Sequence, residues 1–154
     1  MSSKVSANLN ITRILAGVGA SRLRTAAPRI LRQGYERSAD IYLAYLRREF
    51  DRKSQGGAGW APLAPSTVKQ KGAKTPILVE SGRLKASLVR GAPGNVFNAT
   101  PNGAEVGSDD RLLRIHQFGT NSIPARPVVV KPTPQVTRSM AQPLIEAVRK
   151  MLIR

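Results

Sequence analysis

The 154-residue sequence contains no cysteine, a single histidine, His116, and few aromatic side chains. Without cysteine the chain forms neither disulfides nor thiolate metal sites, and it has no thiol nucleophile. A lone histidine also lacks the companion ligands that a zinc site requires. Aromatic residues make up only 5% of the chain, against 41% hydrophobic residues, so the core must be built mainly from aliphatic side chains.

The sequence also lacks the motifs of common catalytic, nucleotide-binding and membrane proteins. It has no G-x-S-x-G nucleophile elbow, and its glycine-rich stretches do not end in the Lys-Ser/Thr of a P-loop. The neighbouring carboxylates Asp109 and Asp110 follow Gly107-Ser108, a pattern typical of a solvated turn. No stretch approaches the roughly 20 apolar residues of a membrane-spanning helix. We therefore predict a protein that is not an enzyme, binds no cofactor or metal and does not enter a membrane.

Acidic residues are scarce: 9 stand against 25 lysines and arginines, for a net charge of +16. A field of this sign attracts polyanions, so either nucleic acid or an acidic protein surface is an expected partner. No acid precedes Glu36, and we predict that residues 1–27 form a basic arm or a short helix, the latter from the apolar spacing between Leu9 and Val18. The basic side chains that we expect to face DNA or a partner protein are Arg22, Arg24, Arg29, Arg32, Lys69, Lys71, Lys74 and Arg126.

Length and periodicity predict one α+β domain over residues 28–154. Apolar residues at helical spacing predict a long helix over 28–53, with Pro28 in its first turn, and an amphipathic C-terminal helix from Val136 to Leu152. Alternation around Pro101-Asn102-Gly103 predicts a β-hairpin, and RPVVVKP (126–132) predicts a further strand at a sheet edge. The predicted architecture is a small antiparallel sheet packed with the two helices.

Glycines and prolines predict a flexible loop around residues 53–75. Within it, STVKQKG predicts a helical turn or two, capped by Ser66 or Thr67 and stopped by Gly72. After it, LVESGRLKASL (78–88) predicts another short helix, with Ser81 as its cap and with Leu84 and Leu88 pointing to the same side.

Four short blocks follow one another in the middle of the chain: WAPLAPSTVKQK (60–71), ILVESGRLKASL (77–88), EVGSDDRLLRIHQFGT (105–120) and IPARP (123–127). In content, order and spacing they resemble the tailed-bacteriophage virion morphogenesis family, also called tail completion proteins. Where that family often has an aromatic-Ala pair before the histidine, this chain has Leu112-Leu113-Arg114. The residues that carry the resemblance are Trp60, Pro62, Leu63, Thr67, Lys71, Leu78, Ser81, Gly82, Leu84, Val106, Gly107, His116, Gly119, Pro124, Ala125, Arg126 and Pro127.

The resemblance implies a structural virion protein at the top of the tail, assembled in the host cytoplasm. Such a subunit forms a ring, hexameric if it follows tail-tube symmetry, that completes the tail and joins it to the DNA-filled head. Its implied partners are copies of itself and the neighbouring connector, terminator or tube proteins, with genomic DNA as a non-specific contact. Two alternatives remain open: a basic nucleic-acid-binding protein, and a terminator or head-closure subunit in an adjacent layer of the neck.

Three residues of these blocks allow more than one interpretation. Trp60 either anchors a loop on the core or stacks on a base. His116 either hydrogen-bonds backbone groups in a turn, where Gly119 supplies an unusual backbone angle, or acts as a switch or ligand. Arg126, held between Pro124 and Pro127, either binds the carboxylate of a neighbouring subunit or forms a salt bridge within the chain.

Overall fold

The computed structural model describes residues 5–9, 20–56 and 59–152 and has the predicted α+β class. The helix predicted between Leu9 and Val18 lies outside the described residues, apart from Leu9, which ends a strand. The element order is β1 (Val5–Leu9), α1 (Ala20–Ser54), α2 (Pro65–Lys71), α3 (Arg83–Ala86), β2 (Asn95–Thr100), β3 (Gly103–Ser108), α4 (Arg111–Phe118) and α5 (Pro134–Leu152).

Helix α1 is the element around which the core forms. Its apolar face places Tyr35, Tyr42, Leu46 and Phe50 in the core, each no more than 2% exposed. The helix begins at Ala20 rather than at the predicted position 28, because the alanine- and arginine-rich residues 20–27 favour helix and a single internal proline removes only one hydrogen-bond donor. The predicted boundary between arm and domain thus falls inside α1.

Helix α5 packs directly against α1, as the predicted architecture requires. Met140 and Leu144 of α5 are 4% and 5% exposed. Gly34 allows the two helices to approach closely, since a Cβ there would lie 3.2 Å from the Leu144 side chain. The buried hydroxyl of Ser38 donates a 2.6 Å hydrogen bond to the Met140 carbonyl oxygen, which fixes the register of the helix pair.

The sheet has three antiparallel strands in the order β1-β3-β2. The predicted hairpin is confirmed: Thr100 pairs with Gly103, so Pro101 and Asn102 form its loop. The prediction of a strand over 126–132 is wrong, and the third strand is instead β1 from the N-terminal region.

Side chains, rather than a neighbouring strand, satisfy the backbone of this non-strand segment. The Gln117 amide accepts from the backbone N–H groups of Val128 and Val129, both at 2.9 Å, and donates to the Val129 carbonyl at 2.8 Å. The Tyr42 hydroxyl donates to the Val130 carbonyl at 2.7 Å. Because side chains pair these backbone polar groups, the segment does not have to join a sheet to satisfy them.

The two short helices form where predicted but are capped differently. Helix α2 begins at Pro65, and no side chain caps it, so the predicted caps at Ser66 or Thr67 are wrong; proline suits the first helical position because that N–H has no partner in any case. Gly72 ends α2 as predicted, with φ of 89°. At α3 the cap position is Gly82, so the predicted cap at Ser81 is wrong; the Ser81 hydroxyl accepts only a long 3.4 Å bond from the Arg83 backbone N–H.

The described chain includes no helix that combines the length and the apolar character needed to cross a bilayer.

Candidate interaction cleft

Residues from all four sequence blocks line one surface cleft of about 260 Å³, which we call the motif cleft. Helix α2 and the loop before it supply the first block, α3 and its approach the second, α4 the third, and the segment after α4 the fourth. Of the residues that carry the resemblance, the lining includes Leu63, Thr67, Lys71, Leu78, Ser81, Gly82, Leu84, His116 and Arg126. Blocks that are separate in sequence therefore build a single surface.

Arg126 lines the cleft and is 7% exposed. Its Nε donates to the Ala61 carbonyl oxygen at 2.9 Å and its Nη2 to the Pro62 carbonyl oxygen at 2.7 Å. Burial lowers the pKa of this guanidinium from its ordinary value. The ion pairs of the described residues do not include Arg126, so carbonyl oxygens, and not a salt bridge within the chain, hold it in place. These bonds fasten the fourth block to the first.

His116 sits on α4 with Arg126 close by. Its carbonyl oxygen accepts a 2.6 Å hydrogen bond from the Arg126 backbone N–H, which joins the third block to the fourth. The imidazole Nδ1 is buried and, among the described residues, has no hydrogen-bond partner, contrary to the expectation that the ring would bond backbone groups. Burial and the positive charge of Arg126 lower the pKa of His116, so the ring is held neutral.

Gly119 turns the chain sharply at the end of α4. Its φ is 73°, a conformation that side-chain-bearing residues rarely adopt. A Cβ at this position would lie 2.9 Å from both the Ala125 nitrogen and the Ile123 carbonyl oxygen. Glycine is thus needed twice, for its backbone angle and for the close approach of the Pro-Ala-Arg-Pro segment.

Trp60 anchors the loop that follows α1. The indole is 8% exposed and packs edge-on against Phe50, with ring centroids 5.2 Å apart. Its Nε1 donates a 2.9 Å hydrogen bond to the Pro127 carbonyl oxygen. A ring buried in this way is not available to stack on a base.

Three charged residues of the cleft lining take part in two ion pairs: Lys71 with Glu80 at 2.7 Å, and Arg83 with Asp110, which lies outside the lining, at 2.9 Å. Asp110 also caps α4 by accepting from the Leu112 backbone N–H at 2.8 Å, and its side chain is only 6% exposed. The prediction that Asp110 belongs to a solvated turn is therefore wrong. An aspartate directly before an apolar-periodic stretch was the available signal for a helix cap.

Leu78 is a cleft residue whose backbone the sequence does not single out. Its φ is 62°, and it is the one non-glycine residue with a positive φ in the described ranges. A leucine in this region is strained, and such strain occurs preferentially at functional sites and ligand clamps.

The remaining predicted basic residues lie apart from the cleft lining. Arg29, Lys69 and Lys74 are exposed, and Arg32 is exposed but pairs with Glu36 at 3.2 Å. The side chains of Arg22 and Arg24 lie outside the described part of the structure. Within that part, no group of three or more histidine and carboxylate side chains could hold a metal ion.

Comparison with curated proteins and with solved structures gives no match for this sequence. The model of the phage virion morphogenesis family matches residues 18–152, so the match includes the last ten residues of the predicted basic arm, 1–27. The match spans all four blocks and the whole of helices α1 and α5. The chain therefore belongs to the phage virion morphogenesis family.

Proposed function

We propose that this protein is a structural subunit of the phage neck, a ring-forming tail completion protein that finishes the tail and joins it to the DNA-filled head. The observation that carries the proposal is the family match over residues 18–152. It supports a role in virion morphogenesis; the ring and the position at the top of the tail are our extension of it. Assembly would take place in the host cytoplasm before the subunit enters the virion.

The bonding within the motif cleft favours a structural role over catalysis. Arg126 and Trp60 donate to main-chain carbonyls, and such bonds hold loops together without presenting a reactive group. A general base or nucleophile pair requires a partner within hydrogen-bond reach of the imidazole. Nδ1 of His116 has none among the described residues. We therefore propose that the subunit acts without catalysis or a cofactor.

The charge distribution supports contact with acidic neighbours. Six of the nine acidic residues already form ion pairs within the chain: Glu36, Asp40, Glu49, Asp51, Glu80 and Asp110. Most of the net charge of +16 is therefore available to contact other molecules. In a neck ring, this surplus would bind acidic connector or tube subunits, or the DNA that passes through the lumen. A head-to-tail ring would also need two different surfaces on each subunit for the contacts between copies.

The proposal is tested by electron microscopy of lysates from phage that lack this gene, with the gene supplied from a plasmid as the control. DNA-filled heads beside unjoined tails are the expected result. Abnormally long tails would move the assignment to a tail terminator, and tails of normal length beside heads that have lost their DNA would move it to a head-closure subunit. Intact virions would overturn the proposal.

Two measurements on the purified protein separate the ring from the nucleic-acid alternative. Native mass spectrometry is expected to show a closed oligomer, with a hexamer as the expected size. DNA binding is expected to collapse between low and physiological salt, since it would arise from phosphate contacts alone. Tight DNA binding that persists at physiological salt, from a monomer, would favour a dedicated nucleic-acid-binding protein.

A further inference from the structure

We propose that the motif cleft receives an extended segment of a different protein, one that carries a carboxylate next to aliphatic side chains. The inference deepens the neck assignment, on which it rests for placing that partner in the virion. The binding chemistry itself follows from the shape, lining and charge of the cleft.

The size and lining of the cleft suit side chains of a docked peptide. Its volume of about 260 Å³ lies below the range of roughly 300–1,000 Å³ typical of small-molecule pockets. Much of the wall is aliphatic, formed by Leu63, Pro76, Leu78, Val79, Leu84 and Leu112. Leu112 is 47% exposed, so its side chain is available to contact a bound segment. Strain at Leu78, on the same wall, is of the kind that occurs at ligand clamps.

The charged residues of the cleft favour an anionic ligand. Arg126, Lys71 and Arg83 line it together with one carboxylate, that of Glu80. Lys71 and Arg83 already have acidic partners, whereas Arg126 bonds only neutral carbonyls. Its third nitrogen, Nη1, forms no hydrogen bond within the described ranges, and a partly desolvated guanidinium gains most from a carboxylate.

A second copy of this chain is a poor source of that carboxylate. Six of its nine acidic residues are engaged in internal ion pairs, and no acid precedes Glu36. Nucleic acid is also a poor match, because the cleft lining contains no Phe, Tyr or Trp ring on which a base could stack, and Trp60 is buried against Phe50. An acidic and apolar segment of another protein complements both the charge and the aliphatic wall.

The chain provides its own reporter, since His116 is its only histidine. Proton NMR of the imidazole can be followed while two acetylated and amidated peptides are titrated in 150 mM NaCl. One peptide is Leu-Glu-Leu-Glu-Leu, and its matched control is Leu-Gln-Leu-Gln-Leu. The acidic peptide is expected to shift the His116 resonances saturably, with an affinity at least tenfold higher than that of the control.

Two variants locate the binding site. Leu112→Glu places a carboxylate on the cleft wall, in the first turn of α4, where an acidic residue is compatible with the helix dipole. It is expected to weaken binding of the acidic peptide at least tenfold. Phe118→Glu adds the same charge near the other end of α4, at a residue that is 69% exposed and outside the cleft lining, and is expected to leave binding within about twofold of wild type.

Other results would overturn the proposal. Equal affinity for the two peptides, no saturable shift, or equal effects of both variants would show that the cleft does not select an acidic segment. A saturable shift by a 12-nucleotide deoxythymidine strand, stronger than that by the acidic peptide, would assign the cleft to nucleic acid. Loss of the native oligomer in Leu112→Glu alone would assign it to a second copy of the chain. None of these measurements uses phage. Failure of the neck assignment would therefore be detected separately, as intact virions in the lysate of phage that lack the gene.

Discussion

The indole Nε1 of Trp60 donates a hydrogen bond of 2.9 Å to the carbonyl oxygen of Pro127, 67 residues further along the chain. The bond joins the glycine-rich loop after α1 to the proline-flanked segment after α4. The Lys53 ammonium also approaches the same oxygen, at 3.5 Å. Two segments without regular structure therefore share one partly buried polar contact.

Trp60→Phe is expected to lower the free energy of unfolding by about 1–3 kcal/mol, because it leaves the Pro127 carbonyl with only the longer bond from Lys53 and opens a small void beside Phe50. Urea denaturation followed by circular dichroism measures the change. Phe118→Leu, at a residue 69% exposed, is the matched aromatic control and is expected to stay within about 0.5 kcal/mol of wild type. Equal stabilities of the two variants would contradict the anchoring role of Trp60.

Gly119→Ala is expected to be among the most destabilising alanine substitutions of a glycine in this chain. The Cβ would meet the Ala125 nitrogen and the Ile123 carbonyl oxygen at 2.9 Å, and both are backbone atoms that cannot rotate away. Gly91→Ala separates the two causes, since Gly91 has a similar φ of 77° but open space around its Cβ position. We expect Gly91→Ala to cost about 1–2 kcal/mol from the left-handed backbone alone. Gly119→Ala should cost about 1–3 kcal/mol more from the clash.

If thermal or urea unfolding shows the two glycine variants to be equally stable, the close packing of the Pro-Ala-Arg-Pro segment on the end of α4 is not maintained in solution. The backbone angle of Gly119 would then be its sole requirement.

The elements that the sequence predicts well are those whose pattern is local. Residues close together in sequence determine both the apolar face of α1, with Tyr35, Tyr42 and Phe50, and the hairpin around Pro101-Asn102. The sequence predicts the start of α1 too late, because proline is typical of a first helical turn, whereas Pro28 lies inside a helix of 35 residues.

The strand predicted over 126–132 fails for a non-local reason. Its valines have high strand propensity, yet their backbone groups bond the side chains of Gln117 and Tyr42 from distant positions. The candidate site likewise depends on both local and non-local features of the sequence. The resemblance identified the residues of the four blocks, but their meeting in one cleft depends on carbonyl acceptors at Ala61 and Pro62, which no side-chain motif reveals.

Gln117→Leu tests how this segment is held. The substitution removes the acceptor for the Val128 and Val129 amides and the donor to the Val129 carbonyl while it keeps a similar side-chain size. We expect a loss of about 1–3 kcal/mol for each of these groups that water does not reach, and faster hydrogen exchange at the two valine amides. Gln135→Leu, at an exposed position of α5, is the control. Unchanged exchange at Val128 and Val129 in Gln117→Leu would show that another partner takes the place of the glutamine.

Because the imidazole of His116 is neutral in the folded protein, we expect the protein to lose stability as the pH falls. Burial and Arg126 lower the pKa of His116 in the folded state below the ordinary value of 6.5. In the window from 6.5 down to that lowered pKa, the unfolded chain binds a proton that the folded chain does not, so the free energy of unfolding rises with pH. The contribution of His116 is complete above pH 6.5 and declines as the pH falls below it. Since His116 is the only histidine, urea denaturation between pH 7.5 and 5.5 measures its effect directly.

His116→Gln is the matched variant for this titration, because its amide does not titrate and its stability should be nearly independent of pH over the same range. The pKa values of Glu49 and Glu80 are lowered from an ordinary value of 4.5. Both carboxylates therefore titrate below the tested range of pH 7.5 to 5.5 and do not mimic the histidine. The reverse slope, with stability increasing as the pH falls from 7.5 to 5.5 in wild type but not in His116→Gln, would mean that the imidazole is charged in the folded state. A carboxylate would then already lie beside Nδ1, and the anion expected in the motif cleft would be supplied by the chain itself.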